Sequence, residues 1–224
     1  MPEASTAARP SLATLIGKRP PLIPVLHVEN ADHAEPLAEA LVGGGLVALE
    51  VTLRSASALK VIGRMRKAFP DALVGVGTVT RPEQLAQSRD AGAQFAVSPA
   101  LTDRLAAAAA DIRLPYIPGA VTPSEMLIAR EHGFHELKFF PADLFGGIAA
   151  LKHVLPLYPD ISFCPTGGIG DANFLSYLAL DNCFAAGGAW LAPRDVIEAA
   201  NWKEIAERSR RAVGIFEARP GTGR

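Results

Sequence analysis

Two ionisable residues lie inside apolar, strand-like segments, and they are the residues of this chain best suited to chemistry. Lys138 stands between Leu137 and Phe139 in ELKFFPA, and Glu50 stands in ALEVTLR. Such residues are rarely fully buried unless they are paired. A dry setting favours the neutral amine of lysine, which can attack a ketone to form an imine, and a buried carboxylate suits proton transfer. The pattern is equally compatible with a structural Lys138–Glu50 ion pair or with an outward-facing Lys138.

Three further side chains are predicted to lie near this pair. Side chains alternate along a strand, so Arg54 shares a face with Glu50, and Phe140 shares a face with Lys138. Thr78 stands near the end of the apolar segment VGVGTV. Arg54 can hold a carboxylate through two parallel hydrogen bonds, although a solvated arginine or an ion pair with Glu50 fits the same spacing.

Two glycine pairs end successive strand-like segments near the end of the chain. Gly167 and Gly168 follow Thr166, and Gly187 and Gly188 end the segment AAGG. Glycine lets backbone N–H groups approach an anion closely, and loops after late strands often hold phosphate in barrel enzymes. The two pairs together indicate a phosphate site, whereas either pair alone fits an ordinary turn.

These residues need a scaffold that brings several strand ends together. Apolar segments predict strands at residues 22–28, 46–53, 72–79, 93–99, 114–120, 134–141, 161–166 and 183–190. Helical patterns in the gaps include residues 34–42, 82–91, 101–110, 123–132 and 172–180. This alternation is typical of α/β proteins with parallel strands. Eight units predict a closed (β/α)8 TIM barrel, whose active site lies at the carboxyl ends of the strands; an open doubly wound sheet is the alternative.

The chain of 224 residues is predicted to form one domain. Residues 1–21 are expected to form an arm and a short N-terminal helix, and residues 218–224 a flexible tail. The expected single barrel domain therefore spans residues 1–224, with no linker inside it.

Composition and charge exclude several classes of function. A net charge of −1 provides no basic field for nucleic acid or an anionic membrane. No apolar run reaches the length of a membrane span, no secretory signal is recognisable, and Cys164 and Cys183 do not suggest a disulfide framework. The five histidines lack the spacing of metal ligands. We therefore expect a cytoplasmic protein that acts on a small molecule without a metal or a cofactor.

Six segments resemble the 2-keto-3-deoxy-6-phosphogluconate (KDPG) aldolase family, which includes 4-hydroxy-2-oxoglutarate (KHG) aldolases. In the family's order, they are LEVTLR (49–54), VGVGTV (74–79), AGAQFAVSP (91–99), LKFFPA (137–142), FCPTGGI (163–169) and GGAWL (187–191). The set is far more specific than any one motif. The resemblance implies a trimeric (β/α)8 barrel that cleaves a 2-keto-3-deoxy sugar acid phosphate without a metal. The implied products are pyruvate and glyceraldehyde 3-phosphate.

The resemblance also implies a role for each candidate residue. Lys138 would be the Schiff-base lysine, and Glu50 would be the acid–base residue. Arg54 and Thr78 would bind the pyruvate part of the substrate, with Phe140 lining it. The residues implied beside the rest of the substrate and its phosphate are Thr166, Gly167, Gly168, Gly187 and Gly188.

The chain departs from that family at Ala189. The family motif there is Gly-Gly-Ser-Trp, with a serine hydroxyl that contacts phosphate, whereas this chain reads Gly-Gly-Ala-Trp. With one hydrogen-bond donor fewer, a non-phosphorylated 2-keto acid such as KHG is an alternative substrate. A phosphate-binding barrel isomerase or epimerase that uses Glu50 as its base, a non-catalytic binding protein and a metal-dependent aldolase are the remaining alternatives.

Overall fold

The computed structural model describes residues 11–219, in which strands alternate with helices. The strands are β1 (Leu22–Leu26), β2 (Ala48–Thr52), β3 (Leu73–Gly77), β4 (Ala96–Val97), β5 (Tyr116–Ile117), β6 (Glu136–Phe139), β7 (Ser162–Pro165) and β8 (Ala186–Gly188). The helices are α1 (Leu12–Ile16), α2 (Ala34–Gly43), α3 (Ala58–Ala68), α4 (Pro82–Asp90), α5 (Asp103–Ile112), α6 (Pro123–Glu131), α7 (Gly147–Val154), α8 (Phe174–Leu178), α9 (Arg194–Glu198) and α10 (Trp202–Glu217). Short 3-10 helices cover Ala31–His33 and Ala189–Leu191.

The strands pair in parallel and close into a barrel. Six of them are hydrogen-bonded in the order β5-β4-β3-β2-β1-β8, and β6 pairs with β7. A bridge between Gly119 and Lys138 joins the end of β5 to β6, and a bridge between Thr166 and Gly187 joins the end of β7 to β8. The predicted (β/α)8 barrel is therefore confirmed, and the open doubly wound sheet is excluded.

Several elements are shorter than their sequence patterns predicted. β5 pairs over only two residues, Tyr116–Ile117, rather than over 114–120. Pro115 and Pro118 flank it, and proline has no N–H to donate to a neighbouring strand. α8 likewise covers Phe174–Leu178 rather than 172–180. The side chain of the preceding residue, Asn173, accepts a hydrogen bond from Gly170 N in the loop before the helix.

The helix ends are capped by side chains and glycines. The side chain of Thr102 accepts a hydrogen bond at the start of α5, and Thr122 forms a capping box at the start of α6. Gly92 and Gly133 follow α4 and α6 with φ values of 97° and 78°, a left-handed conformation that glycine adopts readily.

Helix α1 closes the amino-terminal end of the barrel. Glu136 of β6 accepts hydrogen bonds from Leu12 N at 2.8 Å, Ala13 N at 3.1 Å and Ser11 Oγ at 2.5 Å. Leu12 and Ile16 then pack on apolar residues of the barrel interior, namely Ile23, Ala48, Leu73, Phe95, Val97, Ile117, Cys164 and Ala185. With this end filled, the open mouth lies at the carboxyl ends of the strands.

α1 is the short N-terminal helix that the sequence predicted. The rest of the predicted arm and most of the predicted tail, residues 1–10 and 220–224, lie outside the described residues. Between residues 11 and 219, no helix has both the length and the apolar character that crossing a membrane requires.

Candidate active site

Lys138 and Glu50 meet inside the barrel. Lys138 Nζ donates a hydrogen bond to Glu50 Oε1 at 3.1 Å, and the two side chains are 8% and 3% exposed. β6 and β2 thus direct both predicted catalytic residues to one point, and an outward-facing lysine is excluded. A buried charge without a partner would be costly, so the pair also satisfies an electrostatic need of the fold.

Gly77 leaves the space that the Glu50 carboxylate occupies. A Cβ atom on Gly77 would lie 2.1 Å from Glu50 Oε1, which no packing tolerates without displacing the carboxylate from Lys138. Gly77 was not among the residues predicted to lie at the site. A glycine inside an apolar strand segment often marks a close approach by another group, and this feature of the sequence could have identified it.

Thr78 directly follows β3 in a left-handed backbone conformation, with φ at 62°. This conformation is unfavourable for a β-branched residue and costs roughly 1–3 kcal/mol. Such strain is concentrated at functional sites. Thr78 is half-buried and follows the glycine that packs against Glu50, which supports its inclusion among the site residues.

Arg54 lies just beyond β2 and is anchored through Thr52. Arg54 Nε donates to Thr52 Oγ1 at 3.2 Å, and that hydroxyl donates to Leu26 O at 2.8 Å. The anchor uses one of the five guanidinium donors. The others remain suited to a bidentate contact with a carboxylate.

Phe140 packs against the candidate nucleophile. Lys138 Nζ lies 5.2 Å from the centroid of the Phe140 ring, a distance typical of a cation–π contact. The ring is 39% exposed, so it forms part of the barrel mouth beside the amine.

Thr166 and Gly187 lie side by side where β7 and β8 end. Thr166 is 5% exposed, and its Oγ1 donates to Cys164 O at 3.4 Å. A Cβ atom on Gly187 would lie 2.7 Å from Thr166 Oγ1. The ends of β7 and β8 therefore approach this closely because residue 187 is glycine.

The other predicted glycines shape the loops after β7 and β8. Gly167 and Gly168 have φ values of 93° and 72°, and a Cβ atom on Gly168 would lie 2.5 Å from Asp143 Cβ. A Cβ atom on Gly188 would lie 2.5 Å from the ring of Trp190. Turn geometry and close packing therefore account for these glycines, and phosphate binding by their N–H groups remains a prediction.

Cys164 is a second side chain that could act as a nucleophile, and it is paired with Lys138 in the β6–β7 ladder. Burial raises the pKa of its thiol to about 12, although the neighbouring Lys138 opposes that shift. The thiol is therefore protonated at neutral pH and does not compete with the lysine, since the thiolate is the reactive form.

A cavity of about 280 Å³, here called the mouth cavity, opens at the carboxyl end of the barrel. Its lining residues are Val25, His27, Arg54, Ala189, Ala192 and Arg194. The cavity thus reaches from Arg54 to Ala189, the residues expected near the two ends of the substrate. His27 and Arg194 were not predicted as site residues. A groove of about 290 Å³ between α2 and α10 contains none of the predicted residues.

The structure brings several of the predicted residues together. Lys138 contacts both Glu50 and Phe140, and Arg54 lines the mouth cavity with Ala189. Across residues 11–219, no three His, Cys, Asp or Glu side chains cluster as metal ligands would.

The chain is similar to several aldolases. The model of the KDPG and KHG aldolase family matches residues 15–208. The KHG/KDPG aldolase of Escherichia coli (strain K12) is 46% identical over 193 residues, 86% of this chain and 91% of the relative. The 2-dehydro-3-deoxy-phosphogluconate aldolase of Pseudoalteromonas atlantica is 47% identical over 193 residues, 86% of this chain and 90% of the relative.

A solved structure adds a reaction intermediate to this picture. It is the KDPG aldolase of Legionella pneumophila with pyruvate captured as a covalent carbinolamine intermediate. It is 40% identical to this chain with a TM-score of 0.86, and the match covers 89% of this chain and 97% of that one. The chain therefore belongs to the KDPG and KHG aldolase family.

Proposed function

We propose that this protein is a class I aldolase that cleaves KDPG, KHG or a related 2-keto acid to pyruvate and an aldehyde, with Lys138 as the nucleophile. One observation carries the proposal: a lysine that is 8% exposed inside the barrel stands 3.1 Å from a carboxylate that is 3% exposed. A buried amine beside a proton acceptor is what imine formation requires.

The first step uses the hydrogen bond between the two residues. Glu50 takes a proton from Lys138 Nζ, and the neutral amine attacks the C2 ketone to give a carbinolamine. Glu50 returns the proton to the C2 hydroxyl, which leaves as water. The product is a protonated imine between Lys138 and C2.

The second step breaks the carbon–carbon bond. Glu50, directly or through a water, removes the proton of the C4 hydroxyl, and the electrons of the C3–C4 bond move into the imine. The aldehyde leaves, and the remaining enamine is protonated at C3. Water then adds to C2 and releases pyruvate with the free lysine amine.

The residues around the mouth orient the substrate for these two reaction steps. Arg54 binds the C1 carboxylate, which fixes C2 within reach of Lys138. Thr78 donates to the same carboxylate, and Phe140 covers the reacting carbons. Gly167, Gly168, Gly187 and Gly188 bring backbone N–H groups toward the far end of the substrate, beside Thr166.

Borohydride trapping tests the nucleophile. Incubation with pyruvate and borohydride should add a reduced pyruvyl group to Lys138, detected by mass spectrometry of the peptide. Lys138→Ala should abolish the adduct, whereas Lys152→Ala, on the outer face of α7, should keep it. Neither an isomerase or epimerase without a covalent lysine nor a protein that only binds the substrate would give an adduct.

The proposal extends to the working state of the protein, a single-domain homotrimer in the cytoplasm. Support for association is a set of exposed apolar side chains, here called the apolar band: Leu127, Ile128, Leu144, Phe145 and Leu157. Exposed apolar patches are typical of interfaces. Support for a single domain is the family match over residues 15–208.

A further inference from the structure

The mouth cavity has a polar wall that the chemistry at Lys138 does not use. Two of its lining residues, Arg194 and His27, share the cavity with Arg54 and Ala189. Ala189 contributes only a methyl group, and Val25 and Ala192 are also apolar. Arg194 and His27 are therefore the polar side chains of the cavity lining that the proposed contact of Arg54 with the C1 carboxylate leaves unassigned.

Arg194 is held in place by two glutamates, Glu198 and Glu29. Its Nε donates to Glu198 Oε1 at 2.6 Å, and its Nη2 lies 3.5 Å from Glu29 Oε1. Within residues 11–219 the Nη1 protons have no acceptor. The two carboxylates are not among the residues that line the cavity. Arg194 is thus an oriented guanidinium on the cavity wall with donors to spare, a group suited to an oxyanion.

His27 presents a buried nitrogen with no protein partner. Its Nε2 lies 2.7 Å from Glu29 Oε1, and its Nδ1 has no hydrogen-bond partner among the described residues. When the Nε2–H of an imidazole donates a hydrogen bond to a carboxylate, Nδ1 of the neutral ring is a hydrogen-bond acceptor. Buried polar atoms are nearly always satisfied, and His27 is one of the residues that line the mouth cavity.

We propose that Arg194 and His27 recognise the end of the substrate that leaves as the aldehyde. Arg194 binds its distal oxyanion, a phosphate or a carboxylate, and His27 Nδ1 accepts a hydrogen bond from a substrate hydroxyl beyond C4. This rests on the proposed aldolase function and adds two specificity-determining residues to it. Arg194 then supplies the donor that Ala189 lacks.

Two variants and three substrates test the assignment. KDPG has a C5 hydroxyl and a distal phosphate. KHG has a distal carboxylate and no hydroxyl beyond C4, and 2-keto-3-deoxygluconate has the C5 hydroxyl without a distal anion. Arg194→Met should lower kcat/KM for KDPG and KHG by about 10- to 100-fold, the scale of a hydrogen bond to a charged group, with less than about a twofold change for 2-keto-3-deoxygluconate.

His27→Leu should show the complementary pattern. It should lower kcat/KM by about 2- to 10-fold, the scale of a neutral hydrogen bond, for KDPG and 2-keto-3-deoxygluconate but not for KHG. Arg81→Met is the matched control, because Arg81 is 63% exposed against 60% for Arg194 and is also paired with a glutamate. It should leave all three substrates unchanged.

Equal losses on all three substrates, or none, would overturn the role of the residue concerned. A loss with Arg194→Met confined to KDPG or to KHG supports the role and identifies the oxyanion as phosphate or carboxylate. Pyruvate trapping on Lys138 does not involve this wall and should persist in both variants. If the parent protein neither forms the adduct nor releases pyruvate, the proposed function fails instead, and that result is distinct.

Discussion

In the proposed reaction Glu50 has two tasks, and they make opposite demands on it. As the partner of a buried lysine it must stay close and charged, because an ion pair that loses one member leaves an uncompensated buried charge. As a proton shuttle it must accept and return protons during the cycle. A hydrogen bond of 3.1 Å between Nζ and Oε1 permits both, because a proton can pass between the two groups while both stay in place.

Glu50→Gln separates these tasks. The amide keeps the shape and still accepts a hydrogen bond from Lys138, but it cannot take a proton. We expect kcat to fall by roughly 10²–10⁴-fold, the usual contribution of a general acid–base group, while pyruvate is still trapped on Lys138. Steady-state kinetics measure the fall, and urea unfolding shows whether the variant remains folded.

Glu39→Gln, an exposed residue of α2, serves as the control for this change. It should leave kcat and the unfolding midpoint as they are. A folded Glu50→Gln protein with near-normal kcat would mean that the carboxylate is only the structural partner of the lysine.

Alternation along single strands placed Phe140 on the face of Lys138 and Arg54 on the face of Glu50, but it left open whether Lys138 faces the barrel interior. The same alternation places His27 on the face of Ile23 and Val25 in β1 and its extension, but a lone histidine was considered only as a metal ligand. Arg194 gave no such signal, because it lies in α9 and reaches the mouth cavity only through the path of the chain after β8. The atomic contact between Gly77 and Glu50 needs the β2–β3 register, which no sequence pattern states.

Helix α1 is short, and its position depends on one strand residue. Glu136 and Lys138 share a face of β6, so one strand points a carboxylate toward the amino-terminal end of the barrel and an amine toward the mouth. The carboxylate accepts from Leu12 N, Ala13 N and Ser11 Oγ. The sequence predicted a short helix here. It did not predict the contact, which joins residues more than a hundred positions apart.

Glu136→Ala should release α1 from the base of the barrel. Two backbone N–H groups and one hydroxyl lose their acceptor, at a cost of about 1–3 kcal/mol for each buried donor left unsatisfied. Because all three hydrogen bonds are only partly buried, we expect the free energy of unfolding in urea to fall by about 1–3 kcal/mol in total. Pyruvate should still be trapped on Lys138, since the mouth is not altered.

Glu131→Ala, an exposed residue at the end of α6, should leave the free energy of unfolding unchanged. If Glu136→Ala is as stable as this control, the hydrogen bonds to α1 contribute nothing net, and apolar packing of Leu12 and Ile16 alone holds the helix.

Closure of the barrel limits what one chain can bury. Each helix of the outer ring packs one face on the sheet, and the opposite face meets solvent unless another chain covers it. Most outer faces of this chain are polar, but the apolar band is not: Leu144 is 78% exposed and Leu157 is 61% exposed. Sequence patterns identified α6 but did not distinguish its apolar exposed positions from core positions, because the two differ only in which side of the helix meets the sheet.

If the apolar band is the contact between subunits, the protein in solution should have a mass about three times the 23.6 kDa of one chain, measured by light scattering after size exclusion. Leu127→Glu, Leu144→Glu and Leu157→Glu each place a charge where a partner would have to bury it, which is costly without a counter-charge. We expect these variants to shift the protein toward monomer. Leu15→Glu is the control, because Leu15 on α1 is 40% exposed against 42% for Leu127 and lies outside the band. A monomeric parent protein would refute the trimer, whereas a trimer that survives all three substitutions would show that its interface lies on another face.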